Sequence, residues 1–168
     1  MFKTTQRNLI AGLLSAVMVM FSGTVWAEFW STYTSEEYPP LTSYEPNLID
    51  ALWCSGSYCD KLYIRNESNG SNYGNNYWSS YFSEEGTNYR RCSSNQFMTG
   101  VACKGRYCDN VSIQCTRVLN KTKGYCHWTP MFSEEHGGMY LSTGYYAAGL
   151  QCFGSYCDNK RIWACQAS

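Results

Sequence analysis

One short motif, Cys-x-Gly-x-Tyr-Cys-Asp, occurs three times in the chain and holds the side chains best suited to binding. A tyrosine ring can stack on the C–H face of a sugar while nearby carboxylate and amide groups bond to its hydroxyls. The candidate ligand-binding residues are Tyr58 and Asp60, then Tyr107, Asp109 and Asn110, then Tyr156, Asp158 and Asn159. The same residue types also suit a turn, because Asp and Asn bond to nearby backbone and Gly adopts positive φ. Both interpretations stay open, and Lys61 replaces Asn in the first copy.

Paired carboxylates recur in the segment Ser-Glu-Glu. The three doublets are Glu36/Glu37, Glu84/Glu85 and Glu134/Glu135. Glycoside hydrolysis needs two carboxyl groups that face one bond at a defined separation. Adjacent residues of a strand point to opposite faces, so a doublet does not form such a pair by itself. A role at a turn or a strand edge, where charge discourages aggregation, is favoured.

The chain has two histidines, His127 and His136, and both lie in its last third. Their spacing to neighbouring acids matches no zinc motif, and no nucleophile accompanies them. The Cys-x4-Cys spacing likewise differs from the Cys-x2-Cys of metal sites. We therefore expect no metal, no cofactor and no catalytic residue.

Residues 1–27 have the features of a signal peptide. Lys3 and Arg7 precede the apolar run Leu9–Phe21, and Val25 and Ala27 are small residues at the −3 and −1 positions of a cleavage site. No later segment is apolar enough to span a bilayer. We predict a protein that is secreted, or periplasmic if its source is bacterial.

All ten cysteines follow the leader, and an even number in an exported chain indicates disulfides. Each Cys-x4-Cys can close across a four-residue hairpin loop. The first copy lacks counterparts of both Cys92 and Cys115, which indicates that these two are partners and leaves Cys126 with Cys165. The predicted bonds are Cys54–Cys59, Cys103–Cys108, Cys152–Cys157, Cys92–Cys115 and Cys126–Cys165.

The motifs belong to a longer unit that is repeated three times. Cys54, Cys103 and Cys152 are 49 residues apart, and a Trp precedes each of them by 24, 25 and 24 residues. This period indicates one supersecondary unit built three times around a shared core. We predict a single domain over residues 28–168, with repeats at about 28–76, 77–125 and 126–168.

The elements of each unit are predicted to be strands. No window has a sustained helical period, whereas Val111, Ile113 and Cys115 alternate with polar residues. The fold class is therefore all-β. The expected core is the set of apolar residues that recur at equivalent positions: Leu52, Val101, Leu150, Ile64, Ile113, Ile162, Trp30, Trp78 and Trp128.

These elements together resemble the vitelline membrane outer layer protein I family. The resemblance rests on Trp-Ser before an acidic stretch, on an apolar strand, and on a turn leading into Asp-Asn-x-x-Ile-x-Cys at Asp109–Cys115. It extends over residues 28–168 and implies a β-prism of three sheets about a pseudo-threefold axis. The Cys-x4-Cys pairs depart from the family pattern, as does the missing outer pair in the first repeat. A β-trefoil is the alternative fold.

Composition narrows the class of partner. The chain has 13 basic and 13 acidic residues, which disfavours nucleic acid and anionic membranes because both need a concentrated basic face. Aromatic residues make up 17% of the chain and include 15 Tyr. We predict a lectin-like protein that binds extracellular or cell-surface glycans without catalysis. The alternatives are a small enzyme acting on cell-wall polysaccharide and a structural or inhibitor protein of an extracellular layer. The oligomeric state is not predicted.

Overall fold

A computed structural model describes residues 28–168, and the signal peptide predicted at residues 1–27 lies outside them. The described residues form twelve strands and three short 3₁₀ turns, so the all-β prediction is confirmed. None of the helical segments in this part of the chain has the length and apolarity to cross a membrane. The strands are β1 (Glu28–Thr34), β2 (Leu41–Thr42), β3 (Asn47–Ser55), β4 (Lys61–Ser68), β5 (Tyr73–Trp78), β6 (Tyr89–Arg91), β7 (Gln96–Lys104), β8 (Asn110–Val118), β9 (Lys123–Trp128), β10 (Gly138–Tyr140), β11 (Tyr145–Phe153) and β12 (Asn159–Ala167).

The strands pair into three antiparallel four-stranded sheets. Sheet A has the order β1-β4-β3-β10, sheet B the order β2-β7-β8-β5, and sheet C the order β6-β11-β12-β9. In each sheet, three strands that are close in sequence are completed by one short strand from elsewhere in the chain. The predicted repeat boundaries after residues 76 and 125 fall inside β5 and β9.

The centre of the molecule is built from the inward faces of the sheets. Six of the predicted core residues have no exposed surface, which confirms them: Leu52, Val101, Leu150, Ile64, Ile113 and Ile162. They pack in one cluster with the Cys-x4-Cys pairs and with Phe82 and Phe132. Burying an aliphatic side chain of this size stabilises the fold by about 1.5–3 kcal/mol.

The prediction that three tryptophans belong to the core is wrong. Trp30 and Trp78 are 39% and 38% exposed, and Trp128 is half-buried. Residues directly opposite on antiparallel strands share a face, and the partners of the tryptophans are outward-facing neighbours of the buried isoleucines. Those partners are Arg65, Gln114 and Trp163. The tryptophans therefore lie on the outer faces of the sheets.

Four of the five predicted disulfides are present: Cys54–Cys59, Cys92–Cys115, Cys103–Cys108 and Cys126–Cys165. The prediction that each Cys-x4-Cys pair closes across a hairpin loop is wrong for Cys54–Cys59, since the strand partner of Cys54 is Leu62 and not Cys59. Cys59 lies in a 3₁₀ turn in which Tyr58 and Cys59 both have positive φ, 56° and 58°. This turn folds back to bring the two sulfurs together.

Cys152 and Cys157, the fifth predicted pair, are two buried thiols in the structure. The Cys157 thiol has acceptors in reach, with its Sγ 3.1 Å from the Asp109 carbonyl oxygen and 3.4 Å from Glu84 Oε2. The neighbouring Cys152 thiol and burial raise the pKa of Cys157 above its ordinary value.

Candidate functional site

The three copies of the Cys-x-Gly-x-Tyr-Cys-Asp motif meet at one place. The ring centroids of Tyr58, Tyr107 and Tyr156 are separated by 5.1, 5.2 and 5.4 Å, so each ring contacts the other two. The distances are typical of favourable aromatic packing. We call these three residues the tyrosine cap. The structure therefore brings the predicted tyrosines together into one surface feature instead of three separate ones.

Each turn of the cap depends on an unusual backbone. The tyrosine and the following cysteine have φ between 54° and 58° in all three copies, a region that residues with a Cβ rarely adopt. The preceding glycine leaves room for the aspartate, since a Cβ at Gly56 would lie 1.9 Å from Asp60 Oδ1. The spaces at Gly105 and Gly154 are similarly tight, at 2.1 and 2.0 Å.

The Asp and Asn side chains of the motif bond within their own turn. Asn110 Nδ2 donates to Asp109 Oδ1 and Asn159 Nδ2 donates to Asp158 Oδ1, each over 2.7 Å. In the first copy, where Lys61 replaces Asn, the buried Asp60 Oδ1 has no partner among residues 28–168. Burial raises the pKa of Asp60, while Lys61 lowers it. These contacts are what a turn requires, and the ligand-binding role of the same residues stays a prediction.

The turns are also joined to one another by sulfur. In each case a cysteine Sγ lies about 3 Å from a main-chain carbonyl oxygen of another copy. The contacts are Cys59 to Asp158 at 2.9 Å, Cys108 to Asp60 at 3.0 Å and Cys157 to Asp109 at 3.1 Å. These close contacts form a closed ring through all three copies, although Cys59 and Cys108 are disulfide sulfurs and have no proton to donate.

The Ser-Glu-Glu segments serve as turns beside the cap. Ser35 Oγ accepts a hydrogen bond from the Glu37 backbone N–H at 3.3 Å, and Ser83 Oγ accepts one from Glu85 at 3.3 Å. Glu84 Oε1 accepts from the Tyr156 backbone N–H at 2.9 Å. The second glutamate of each doublet is exposed. These contacts favour the turn interpretation of the doublets.

The two histidines have separate surroundings. His136 Nδ1 lies 3.1 Å from Ser133 Oγ, the serine of the third Ser-Glu-Glu turn. The His127 ring contacts Tyr125 and Tyr145 at 5.8 and 5.2 Å, and its buried Nδ1 has no partner among residues 28–168. Within the same residues, no group of three His, Cys, Asp or Glu side chains is placed to hold a metal.

Sequence reasoning missed a fully buried lysine. Lys160 stands three residues after Cys157, where the first two repeats have Leu62 and Val111. Its Nζ donates to the Cys157 carbonyl oxygen, and burial lowers the pKa of Lys160. Aligning the repeats reveals it, because every other member of that column is aliphatic.

The outer faces of the sheets carry equivalent rows of residues, which we call outer rows. Each outer row crosses the four strands of its sheet and ends on a tryptophan. The rows are Tyr140, Ala51, Arg65 and Trp30 in sheet A, Thr42, Gly100, Gln114 and Trp78 in sheet B, and Arg91, Gly149, Trp163 and Trp128 in sheet C.

The row of sheet A is neutralised. The Arg65 guanidinium binds Asp50 through two bonds of 3.1 and 2.5 Å and Glu28 through one of 2.8 Å. It also lies over the Tyr140 ring at 4.7 Å, and Trp30 contacts that ring at 5.8 Å.

The row of sheet C borders a cleft of about 520 Å³. The lining residues are Thr87, Tyr89, Arg90, Arg91, Cys92, Ser94, Lys123 and Trp163. The Arg91 guanidinium lies over the Trp163 and Tyr89 rings, at 5.1 and 5.3 Å. Two cations, Arg91 and Lys123, and two aromatic rings thus border one opening of the size that small ligands occupy. The Arg90 guanidinium points away from it, over the Phe82 ring, and donates to Ser80 Oγ at 2.9 Å.

No protein-family model, curated protein or solved structure matches the chain. The resemblance to the vitelline membrane outer layer protein I family therefore stays a prediction.

Proposed function

We propose that this chain is a secreted, non-catalytic, lectin-like protein that binds extracellular or cell-surface glycans. We further propose that its three sheets form a β-prism of the kind found in the vitelline membrane outer layer protein I family. The identical strand order of the three sheets supports the prism, and the disulfides support an oxidising compartment.

The exposed aromatic rings of the outer rows carry this proposal. Trp30, Trp78 and Tyr140 are 39%, 38% and 51% exposed, although each lies on a strand. A strand holds such a ring at a fixed angle, so the entropy lost on binding is small. An aromatic face of this kind packs against the apolar face of a sugar ring, and several weak sites on one surface add avidity.

The test is retention of the protein on a glycan array, followed by titration of any retained sugar. We expect Trp30→Ala or Trp78→Ala to weaken binding about two- to tenfold, which is the range of one aromatic contact. Tyr44→Ala is the matched control, since Tyr44 is 63% exposed but lies outside the outer rows. The proposal fails if no glycan is retained at millimolar monosaccharide equivalents.

A cap variant separates the two candidate surfaces. If sugars bind at the Tyr-Asp-Asn motif, Tyr58→Ala will weaken binding and Trp78→Ala will not. If sugars bind on the outer rows, the order will be reversed. Circular dichroism of Tyr58→Ala shows whether the cap turn survives the change.

The exposed rings also suit contact with another protein, as in a coat or inhibitor protein. That function would give tight protein–protein association in size-exclusion chromatography and no preference among sugars. A polysaccharide-cleaving enzyme would lose turnover in Glu134→Gln or His136→Ala, whereas glycan binding would survive either change.

A further inference from the structure

The cleft beside sheet C differs from the other outer surfaces in its charge. Its lining includes Arg90, Arg91 and Lys123 but no Asp or Glu. Both ion pairs found within residues 28–168 belong to Arg65 on sheet A. The cations of the cleft are therefore not neutralised by carboxylates of the described chain, even though the whole sequence has equal numbers of acidic and basic residues.

The position of Arg91 is fixed by close packing of its strand and by an aromatic ring. Its strand, β6, packs directly against Gly149, where a Cβ would lie 2.5 Å from the Arg90 carbonyl oxygen and 3.0 Å from Arg91 Cγ. The missing side chain allows Arg91 to cross β11 and lie over Trp163. Stacking on a ring fixes the plane of the guanidinium while leaving its N–H edge free for a planar anion.

Lys123 supplies a second fixed cation. Its Nζ donates to the carbonyl oxygens of Cys92 and Ser93, at 3.0 and 2.8 Å. An ammonium group has three N–H bonds, so one remains for a ligand. Burial lowers the pKa of Lys123 to about 8, which leaves most of the group charged at neutral pH.

We propose that the cleft between β6 and Trp163 binds an acidic sugar, one bearing a carboxylate or a sulfate ester, with Arg91 and Lys123 contacting the anion and Trp163 or Tyr89 the ring. This inference rests on the proposed glycan-binding function and names the class of glycan. The Arg fork matches a carboxylate or sulfate through two parallel bonds, and the aromatic rings match the uncharged part of the sugar. Two cations are too few for a nucleic-acid surface.

The experiment titrates the protein with a uronic-acid oligosaccharide and with the same oligosaccharide after reduction of its carboxyl groups. We expect the acidic form to bind at least tenfold more tightly and its affinity to fall as salt is added. Arg91→Gln should weaken binding of the acidic form about ten- to a hundredfold, the range for a lost bond to a charged group. Arg117→Gln is the control, because it removes the same charge from an exposed position of sheet B.

Each other outcome overturns the inference in a distinguishable way. Equal binding of both oligosaccharides would reject the acidic-sugar site while leaving glycan binding intact. Equal losses in Arg91→Gln and Arg117→Gln would show diffuse attraction instead of a site. Competition by inorganic sulfate as strong as by the oligosaccharide would show a simple anion site. Binding of neither oligosaccharide, with an empty glycan array, would reject the proposed function as well.

Discussion

The outer rows of sheets A and C each contain one arginine, on β4 in sheet A and on β6 in sheet C, and only the arginine of sheet A is neutralised by carboxylates. Both place a guanidinium over an aromatic ring and both end on a tryptophan. The residue at the β-bulge also differs, because sheet A has the buried Asp50 there and sheet C has Ala148. Asp50 neutralises Arg65, whereas the alanine offers Arg91 nothing. The acid at the bulge thus makes the arginine of sheet A structural, and no such acid stands at the bulge of sheet C.

Sheet B shows a third solution to the same position. Its bulge residue, Thr99, bonds to Gln114 at 3.2 Å, and no guanidinium is present in its row. Sheet C differs a second time on its inner face, where Lys160 replaces the Leu62 of sheet A. Sheet C therefore has, on each of its faces, a basic residue without a carboxylate partner among residues 28–168.

The largest expected effect comes from making sheet A resemble sheet C. Asp50→Ala leaves the largely buried Arg65 without its main partner, and the free energy of unfolding should fall by about 3–5 kcal/mol. Urea denaturation measures it. Glu28→Ala removes the exposed partner of the same guanidinium and should change stability by less than about 1 kcal/mol. Equal losses in the two variants would contradict the distinction between a buried and an exposed acid.

A smaller effect, of opposite sign, is expected on the inner face of sheet C. Lys160→Leu restores the aliphatic residue of the other repeats and should raise the free energy of unfolding by roughly 1–4 kcal/mol. The folded pKa of Lys160 lies below its unfolded value of 10.5, so the unfolded chain binds more protons between the two values. Wild-type stability should therefore rise with pH in that interval.

Lys160→Leu should lack the part of this rise of stability with pH that the titration of Lys160 causes. Denaturation curves of both proteins at pH 7 to 10 give the difference directly, and the contribution of Lys123 cancels in it. A loss of stability in Lys160→Leu at every pH would instead show that the lysine is needed where it is.

The smallest of these effects concerns the close packing of Gly149 against β6, which allows Arg91 to lie over Trp163. Gly149→Ala places a methyl group against the backbone of β6 and should cost about 1–3 kcal/mol through overpacking. Ala51→Gly is the mirror change in the outer row of sheet A and should cost about 0.5–1 kcal/mol through backbone entropy. Thermal unfolding compares the two. Gly149→Ala should also weaken acidic-sugar binding, because Arg91 is displaced from Trp163, whereas Ala51→Gly should leave that binding unchanged.

Much of the fold could be predicted because it depends on local pattern. The alternation of Val111, Ile113 and Cys115 identified both the strand and its buried face. The joint absence of two cysteines from the first repeat identified the Cys92–Cys115 bond.

The errors and omissions concern contacts that depend on register or on strand exchange. Trp30 faces outward because of its pairing with Arg65, which the apolar character of Trp does not reveal. Arg91 and Trp163 are 72 residues apart and meet only because β6 leaves its own repeat to join sheet C. The tyrosine cap depends on contacts between turns of different repeats, which the pattern within one repeat does not reveal.

The exchange of short strands has a consequence for how the chain can be divided. Each copy builds one sheet and lends its neighbour the last strand of another: β2 goes to sheet B, β6 to sheet C and β10 to sheet A. Removing any single copy would therefore disrupt two sheets at once. A lone fragment of about fifty residues would have one short strand without a sheet to join and one sheet edge without its last strand. Both pairings form only when three such fragments come together.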